Sequence, residues 1–144
     1  MEKKIVLPLD NKTISSLKAG DQVLLSGTIY TARDAAHIRL VNEIKKPPLN
    51  LKDKIIYYSG PTPPMPGRVI GSAGPTTASR MDGFTLPLLK AGVRGFIGKG
   101  KRSKEVIDAL KKYKAVYFVA TGGAGALLAK HIKSQSKKGH LASI

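Results

Sequence analysis

The sequence contains no cysteine among its 144 residues. This absence excludes disulfide bonds, a thiolate nucleophile and any cysteine-ligated zinc or iron–sulfur site built by this chain alone. The histidines, His37, His131 and His140, are far apart in sequence and do not form a metal-spaced pair. We therefore expect no metal site made by this chain alone.

Long hydrophobic runs are also absent. No stretch reaches the roughly 18 apolar residues that a membrane-spanning helix needs. Near the start, the apolar run Ile5–Leu7 ends at Pro8, which is too short for a signal peptide. We therefore predict a cytoplasmic protein.

Acidic residues are few: 9 Asp and Glu stand against 25 Lys and Arg, for a net charge of +16. The excess is greatest after residue 98, where 11 basic side chains face only 2 acidic ones. Such a field attracts nucleic acid, dianionic metabolites or an acidic partner subunit, and charge alone does not choose among them. Aromatic residues make up only 6%, and no interleaved basic and aromatic pattern typical of RNA-binding modules is present.

Apolar residues make up 42% of the chain, which is enough for one compact domain. In the first half, Ile5–Leu7 and Lys54–Tyr58 are predicted strands, and Arg33–Ile44 is a predicted helix. Val23–Leu25 and Thr28–Thr31, separated by Ser26 and Gly27, favour a hairpin or a bulged strand. A rigid connection with four prolines follows over 59–67.

From Val69 onward, predicted strands alternate with predicted helices. A strand ends at Ile70, Asp82 is expected to cap a helix that runs to Ala91, and Ser103–Tyr113 forms an amphipathic helix that buries Val106, Ile107 and Leu110. Further strands are predicted over 93–97 and 115–120, with a last helix over 126–133. Glycine-rich loops follow three of these strands, over 71–77, 98–101 and 122–125. This alternation favours a parallel sheet, with ligands bound at the carboxyl ends of its strands.

The segment 71–82 is the strongest candidate for a binding site. Gly71 and Gly74 allow close backbone approach to an anion, and Arg80 offers a planar fork of donors suited to a carboxylate. The alternative is an ordinary glycine-rich turn with a solvated arginine. The spacings of the phosphate-binding loop and of the dinucleotide fingerprint are both absent.

Three motifs together resemble the β subunit of class I fumarases and L-tartrate dehydratases. They are Gly-Pro-Thr-Thr-Ala-Ser-Arg-Met-Asp at 74–82, Gly-Lys-Gly-Lys-Arg-Ser at 98–103 and Gly-Gly-Ala-Gly-Ala-Leu-Leu-Ala at 122–129. Thr-Ala-Arg-Asp-Ala-Ala-His at 31–37 and the prolines at 61–64 also match this family. The resemblance covers residues 5 to 133 in order and fades after Lys133, so the chain looks shortened at its C-terminus.

The resemblance implies a layered β/β/α swivelling domain over 1–133. It also implies reversible hydration of a dicarboxylate, with fumarate and malate first and tartrate second. Arg33, Arg80 and Lys99 would bind the substrate, and Thr76 would be the residue that moves the C3 proton. A threonine hydroxyl is a poor base unless something activates it, so this role rests on the resemblance.

The resemblance also implies a partner. In this family a larger α subunit holds a four-iron, four-sulfur cluster on three cysteines, and the hetero-oligomer is the active enzyme.

Residues 134–144 are polar, basic and without periodicity, so we expect a frayed tail. The alternatives are a small basic nucleic-acid-binding protein and a regulatory relative without activity.

Overall fold

A computed structural model describes residues 2–32, 34–45, 50–59, 66, 77–120, 134–136 and 141–143. Within these ranges the strands are β1 (Glu2–Val6), β2 (Gln22–Ser26), β3 (Thr28–Thr31), β4 (Ile55–Tyr57), β5 (Gly95–Gly98), β6 (Val116–Val119), β7 (Ser134–Ser136) and β8 (Leu141–Ser143). The α-helices are α1 (Asn11–Ser16), α2 (Asp34–Asn42), α3 (Asp82–Lys90) and α4 (Lys104–Lys112). A 3₁₀ helix over Ala78–Met81 leads directly into α3.

The strands form two sheets. β1 and β2 pair in parallel as a two-stranded sheet, and the other six strands follow the order β6-β5-β4-β3-β8-β7. Within the larger sheet, β3, β4, β5 and β6 run parallel to one another, whereas β8 pairs with β3 in the antiparallel direction. The alternation of strands with α2, α3 and α4 therefore produces the parallel sheet that the sequence predicts.

Side-chain alternation along the central strands produces three layers. On β4, Ile55 and Tyr57 pack with Ile5 and Leu9 from the region of β1, whereas Ile56 and the following Tyr58 belong to a second core. That second core contains the apolar residues of the helices, such as Leu88, Leu89, Val106 and Leu110. Since successive side chains of a strand point to opposite faces, the small sheet covers one face and the helices the other. The predicted α/β class is confirmed, and this packing is a β/β/α arrangement.

The predicted hairpin or bulged strand around Gly27 is wrong, because β2 and β3 lie in different sheets. Gly27 adopts φ +135, and a Cβ added there would lie 2.9 Å from the Cβ of Leu7. Glycine therefore allows the chain to leave one sheet and enter the other in a single residue. β2 pairs in parallel with β1 rather than with β3, and two adjacent strand patterns alone do not identify the partner of either strand.

The two helix starts behave differently. α4 begins as predicted: the Oγ of Ser103 accepts a hydrogen bond from the backbone N–H of Val106 at 3.2 Å. Asp82, predicted as a cap, instead lies in the first turn of α3, and Met81 occupies the cap position. On α4, Val106 and Leu110 are buried as predicted, whereas Ile107 is 42% exposed.

Within 134–144, where a frayed tail is expected, the described residues form two antiparallel strands, β7 and β8. β8 pairs with β3 through Thr28↔Ser143 and Tyr30↔Leu141, and β7 pairs with β8. Three-residue strands are too short to leave a periodic pattern in the sequence, and their pairing partner is remote. A domain boundary at 133 stays a prediction.

Several predicted segments lie outside the described residues. They are the proline-rich connection after Ser59 apart from Pro66, the strand end at 69–70, the glycine-rich segments 71–76 and 122–125, and the helix over 126–133.

Candidate functional site

The candidate site lies at one edge of the larger sheet. Because β3, β4, β5 and β6 are parallel, their carboxyl ends meet at the same edge. Ligands of such sheets bind at this edge, in the loops that follow the strands. The sequence places its candidate site residues in three segments: the one after β3, the one that leads into α3, and the loop after β5.

Two of these segments are joined by backbone contacts. Thr77 forms an isolated parallel bridge with Lys99, and the backbone N–H of Ala78 donates to the carbonyl oxygen of Lys99 at 2.8 Å. Arg80 is exposed on the 3₁₀ helix two residues later, and Lys99 is half-buried directly after β5. The fold thus brings the segments that carry these two predicted cations together from positions 19 residues apart.

Arg33 and Thr76, the other predicted site residues, lie outside the described residues. Their described neighbours are at the same edge of the sheet. The backbone N–H of Ala32 donates to the carbonyl oxygen of Tyr57 at 3.0 Å at the carboxyl end of β3, and Thr77 forms the bridge to Lys99. The roles of Arg33 and Thr76 stay predictions.

The sequence did not single out Arg102, which is the most extensively bonded side chain near this edge. Its side chain is 1% exposed. Nε donates to Asp82 Oδ1 at 2.8 Å, Nη1 donates to the hydroxyl of Tyr58 at 2.7 Å, and Nη2 donates to Thr85 Oγ1 at 2.6 Å. A guanidinium in this position has each of its three nitrogens paired, which is the condition for burying a charge without a large penalty.

Aromatic rings surround the same guanidinium. Its carbon lies 5.1 Å from the ring centroid of Tyr58, 5.6 Å from that of Phe96 and 5.0 Å from that of Tyr117. These distances are within the range of cation–π attraction. Burial raises the pKa of Tyr58 to about 12, although the adjacent Arg102 charge acts in the opposite direction. Tyr58 therefore keeps its proton at neutral pH and accepts from Arg102 as a neutral hydroxyl.

The carboxylate of Asp82 holds two parts of the chain at once. Oδ1 accepts from Arg102, and Oδ2 accepts from the backbone N–H of Ser103 at 3.1 Å. Asp82 follows the 3₁₀ helix that carries Arg80, whereas Arg102 and Ser103 end the loop that begins at Lys99. One carboxylate therefore connects the two segments at a second point, besides the Thr77–Lys99 bridge.

The loop after β5 is also held from the side of β6. The hydroxyl of Tyr117 donates to the carbonyl oxygen of Gly100 at 2.8 Å. Gly100 adopts φ +84, a conformation that glycine reaches without strain. Burial raises the pKa of Tyr117, so this hydroxyl stays a donor at neutral pH. The backbone around Lys99 thus has contacts on both sides.

No local pattern distinguishes Arg102 from the neighbouring lysines. The sequence places it in a basic run from Lys99 to Lys104, which is typical of a solvated surface. Its partners come from positions 58, 82 and 85, so only the tertiary structure identifies it. Ser59 is a second residue that the sequence did not indicate: its hydroxyl is buried at the carboxyl end of β4 and has no hydrogen-bond partner among the described residues.

The residues of this chain do not fit a cysteine-ligated cluster, because the sequence has no cysteine. Among the described residues, no group of three or more His, Asp or Glu side chains could hold a metal ion. In the same part of the chain, every helix is too short or too polar to cross a bilayer. The chemistry that this edge offers is therefore that of cations and hydroxyls, which suits the recognition of an anion.

Comparison with known proteins identifies relatives with the same sequence pattern. The sequence profile of the family described as "Fumarase C-terminus" matches residues 2–139. The chain is 39% identical over 131 residues to a protein of Methanocaldococcus jannaschii whose provisional name is L(+)-tartrate dehydratase subunit beta. It is 31% identical over 137 residues to the L(+)-tartrate dehydratase subunit beta of Escherichia coli, and 38% identical over 121 residues to the aerobic class I fumarate hydratase of the same organism.

The matches differ in how much of each relative is covered. They include 87% of this chain and 67% of the Methanocaldococcus protein, and 92% of this chain and 68% of the Escherichia coli tartrate dehydratase subunit. The match to the aerobic fumarate hydratase includes 81% of this chain but only 22% of that enzyme. The chain thus spans about two thirds of the tartrate dehydratase β subunits that it matches and less than a quarter of the aerobic fumarate hydratase. The hydratases and dehydratases named here are all hydro-lyases, which is the enzyme class that the sequence predicts.

Proposed function

Because this chain belongs to the fumarase C-terminus family, we propose that it is the β subunit of an iron–sulfur hydro-lyase. The reaction is the reversible addition of water to an unsaturated dicarboxylate, with fumarate and malate as the first substrate pair and tartrate as the second. The observation that carries the proposal is the contact between the segment of Arg80 and the segment of Lys99 at the carboxyl edge of the sheet. The names of the relatives support the same class of reaction.

The cations of this edge suit a dicarboxylate. Arg80 is exposed and presents a planar fork that matches one carboxylate, and Lys99 supplies a point charge from the neighbouring loop. Arg33 would add a third cation after β3. Positive charges on both carboxylates orient the substrate and stabilise the enolate-like charge that forms when a proton leaves the adjacent carbon.

Thr76 is proposed as the residue that moves the C3 proton. Its position in the motif, directly before Thr77 and the bridge to Lys99, supports this role. A threonine hydroxyl needs activation, and a neighbouring cation that stabilises its ionised form would supply it. Lys99 and Arg80 are the candidates for that cation.

The cluster would belong to a cysteine-bearing α subunit. When bound there, a cluster with an open iron position supplies a Lewis acid for the substrate hydroxyl. The present chain would close over it and contribute the carboxylate-binding groups. The proposed assembly is a cytoplasmic hetero-oligomer in which neither chain contains the whole site.

Co-expression of this chain with its α partner tests the proposal. The complex, reconstituted without oxygen, should hydrate fumarate or dehydrate malate or tartrate, and exposure to air should abolish that activity. The purified chain alone should be inactive, and co-purification should be measured beside the assay to separate failed assembly from failed catalysis. Activity of the isolated chain that survives oxygen would contradict the two-subunit proposal, and so would an assembled complex with no activity on any of the three acids.

The net charge of +16 favours a second candidate, a small nucleic-acid-binding protein. The family of the chain does not point in this direction, and the low aromatic content leaves few side chains on which bases could stack. The charge also suits an acidic partner subunit or an anionic substrate. The hydro-lyase proposal therefore accounts for more of the observations.

A further inference from the structure

Arg102 is placed where it can control the relative position of two segments. The loop between β5 and α4 carries Lys99 at its start and Arg102 near its end, and the 3₁₀ helix with Arg80 runs into Asp82. The ion pair between Arg102 and Asp82 joins the two segments at one point, and the Thr77–Lys99 bridge joins them at another. We call the two segments together with these two contacts the frame. Arg80 and Lys99 lie on the two segments of this frame.

The frame is anchored to the core. Nη1 of Arg102 reaches the hydroxyl of Tyr58, which is 0% exposed and follows β4. Nη2 reaches Thr85, whose hydroxyl in turn donates to the carbonyl oxygen of Met81 at 2.9 Å. The guanidinium is thus bonded to Tyr58 just after β4 and to Asp82 and Thr85 of α3. The contacts with Tyr58 and Thr85 are buried, and the contact with Asp82 is partly buried.

From these contacts we propose that Arg102 is a positioning residue that sets the spacing of Arg80 and Lys99 for a dicarboxylate. The inference rests on the proposed function. Arg102 itself is buried and does not touch the substrate. The three nitrogens of its planar fork donate in fixed directions. These directions determine where the loop that carries Lys99 lies relative to the start of α3, which follows Arg80.

This role predicts an effect that general destabilisation would not produce. A dicarboxylate gains from two cations only when their spacing matches its length, because the second contact is then intramolecular. A monocarboxylate uses one cation and does not depend on that spacing. Loss of the contacts of Arg102 should therefore weaken the binding of dicarboxylates much more than the binding of monocarboxylates.

Arg102→Lys in the assembled enzyme tests the inference, with succinate and propionate as competitive inhibitors. Lysine keeps the charge but cannot contact Asp82, Tyr58 and Thr85 together. We expect the inhibition constant of succinate to rise about tenfold or more and that of propionate by less than about threefold. KM for the dicarboxylate substrate should rise by a similar factor to the succinate constant.

Arg94→Lys is the matched control. Arg94 also donates from all three nitrogens, to Asp53 Oδ1 at 3.2 Å, to the carbonyl oxygen of Lys114 at 2.9 Å and to Asn11 Oδ1 at 2.6 Å. It lies directly before β5, at the opposite edge of the sheet from Arg102. The control should lose thermal stability and keep the ratio of the two inhibition constants.

The outcomes separate the inference from the proposed function. An unchanged ratio in Arg102→Lys, or an equal change in Arg94→Lys, would overturn the positioning role while the enzyme remains a hydro-lyase. A wild-type complex without hydro-lyase activity would overturn the proposed function and the inference with it. If Arg102→Lys does not assemble, Asp82→Asn changes the same contact without removing the arginine, and it should shift the ratio in the same direction.

Discussion

Arg102, whose side chain is buried, forms an ion pair with the partly buried Asp82 at an Nε–Oδ1 distance of 2.8 Å, across 20 residues of sequence. The second carboxylate oxygen of Asp82 accepts from the backbone N–H of Ser103, so this side chain connects the start of α3 to the end of the loop that leads into α4. The pair also fixes the loop that carries Lys99. Its burial makes it a structural requirement as well as a link between the two segments of the candidate site.

Asp82→Ala should strongly destabilise the chain. Removing one partner of a buried ion pair leaves the other charge uncompensated, at a cost of about 3–5 kcal/mol. The comparison is Glu43→Ala, which removes the exposed i,i+4 pair between Arg39 and Glu43 and should cost about 0.3–0.5 kcal/mol. Urea unfolding of the two variants gives both values. Similar losses in the two variants would show that the Arg102–Asp82 pair is not effectively buried in solution.

Arg80→Lys should impair substrate recognition in the assembled enzyme. Lysine retains the charge but loses the planar fork, so KM should rise and kcat should fall, each by more than about tenfold. Arg39→Lys serves as the control, because Arg39 is an exposed arginine on α2 whose ion pair with Glu43 lysine can also make. Near-normal kinetics in Arg80→Lys would remove Arg80 from the site.

Thr76→Val should leave assembly intact and reduce turnover severely, because valine keeps the shape of threonine and lacks its hydroxyl. Thr77→Val should be milder, since the contact of Thr77 with Lys99 is made by the backbone. Single-turnover rates of the two variants distinguish the residues. Equal losses at the two positions would indicate that the hydroxyls maintain the turn and that Thr76 has no special role in proton transfer.

Tyr57→Phe should make the chain more resistant to alkali. Burial raises the pKa of Tyr57 from 10.0 to about 12 in the folded state. As pH rises, the unfolded state loses this proton first, and deprotonation lowers the free energy of the unfolded state. The contribution of Tyr57 to the free energy of unfolding is therefore complete below about pH 10 and is lost as pH rises towards 12. In the variant, the decline of unfolding free energy over this range should be shallower by up to about 1.4 kcal/mol per pH unit. Parallel curves for the two proteins would show that Tyr57 does not contribute.

Binding to nucleic acid should be weak and unspecific. The charge of +16 will retain the chain on DNA or RNA at low salt. That retention should fall steeply as the salt concentration rises, because the release of counterions on binding then gains less entropy. Fluorescence anisotropy with several unrelated oligonucleotides between low and physiological salt measures this dependence. A sequence-selective complex that persists at physiological salt would favour the nucleic-acid-binding alternative over the hydro-lyase.

The sequence by itself was sufficient for the α/β class, for the parallel sheet after β3 and for the family. Strand and helix patterns are local, with periods that short windows reveal, and glycine-rich loops after strands indicate the edge at which a parallel sheet binds ligands. The cap of α4 at Ser103 is equally local, because the cap and the backbone N–H that donates to it lie three residues apart. The family motifs added the identities of Arg33, Thr76, Arg80 and Lys99, which no periodicity could supply.

Only the tertiary structure decided which sheet each early strand joins and what Asp82 and Arg102 do. The chain changes sheets at Gly27, where β2 remains paired with β1 and β3 enters the larger sheet. The pairing of β2 depends on contacts between strands about 20 residues apart. Asp82 had the sequence of a helix cap, yet the charge and donors of Arg102 hold its carboxylate more strongly than the backbone of its own helix. Arg102 resembles its neighbouring lysines until β4, β5, β6 and α3 enclose it. Burial and pairing of a charge are properties of the folded environment, so a basic run in the sequence cannot show which of its members will leave the solvent.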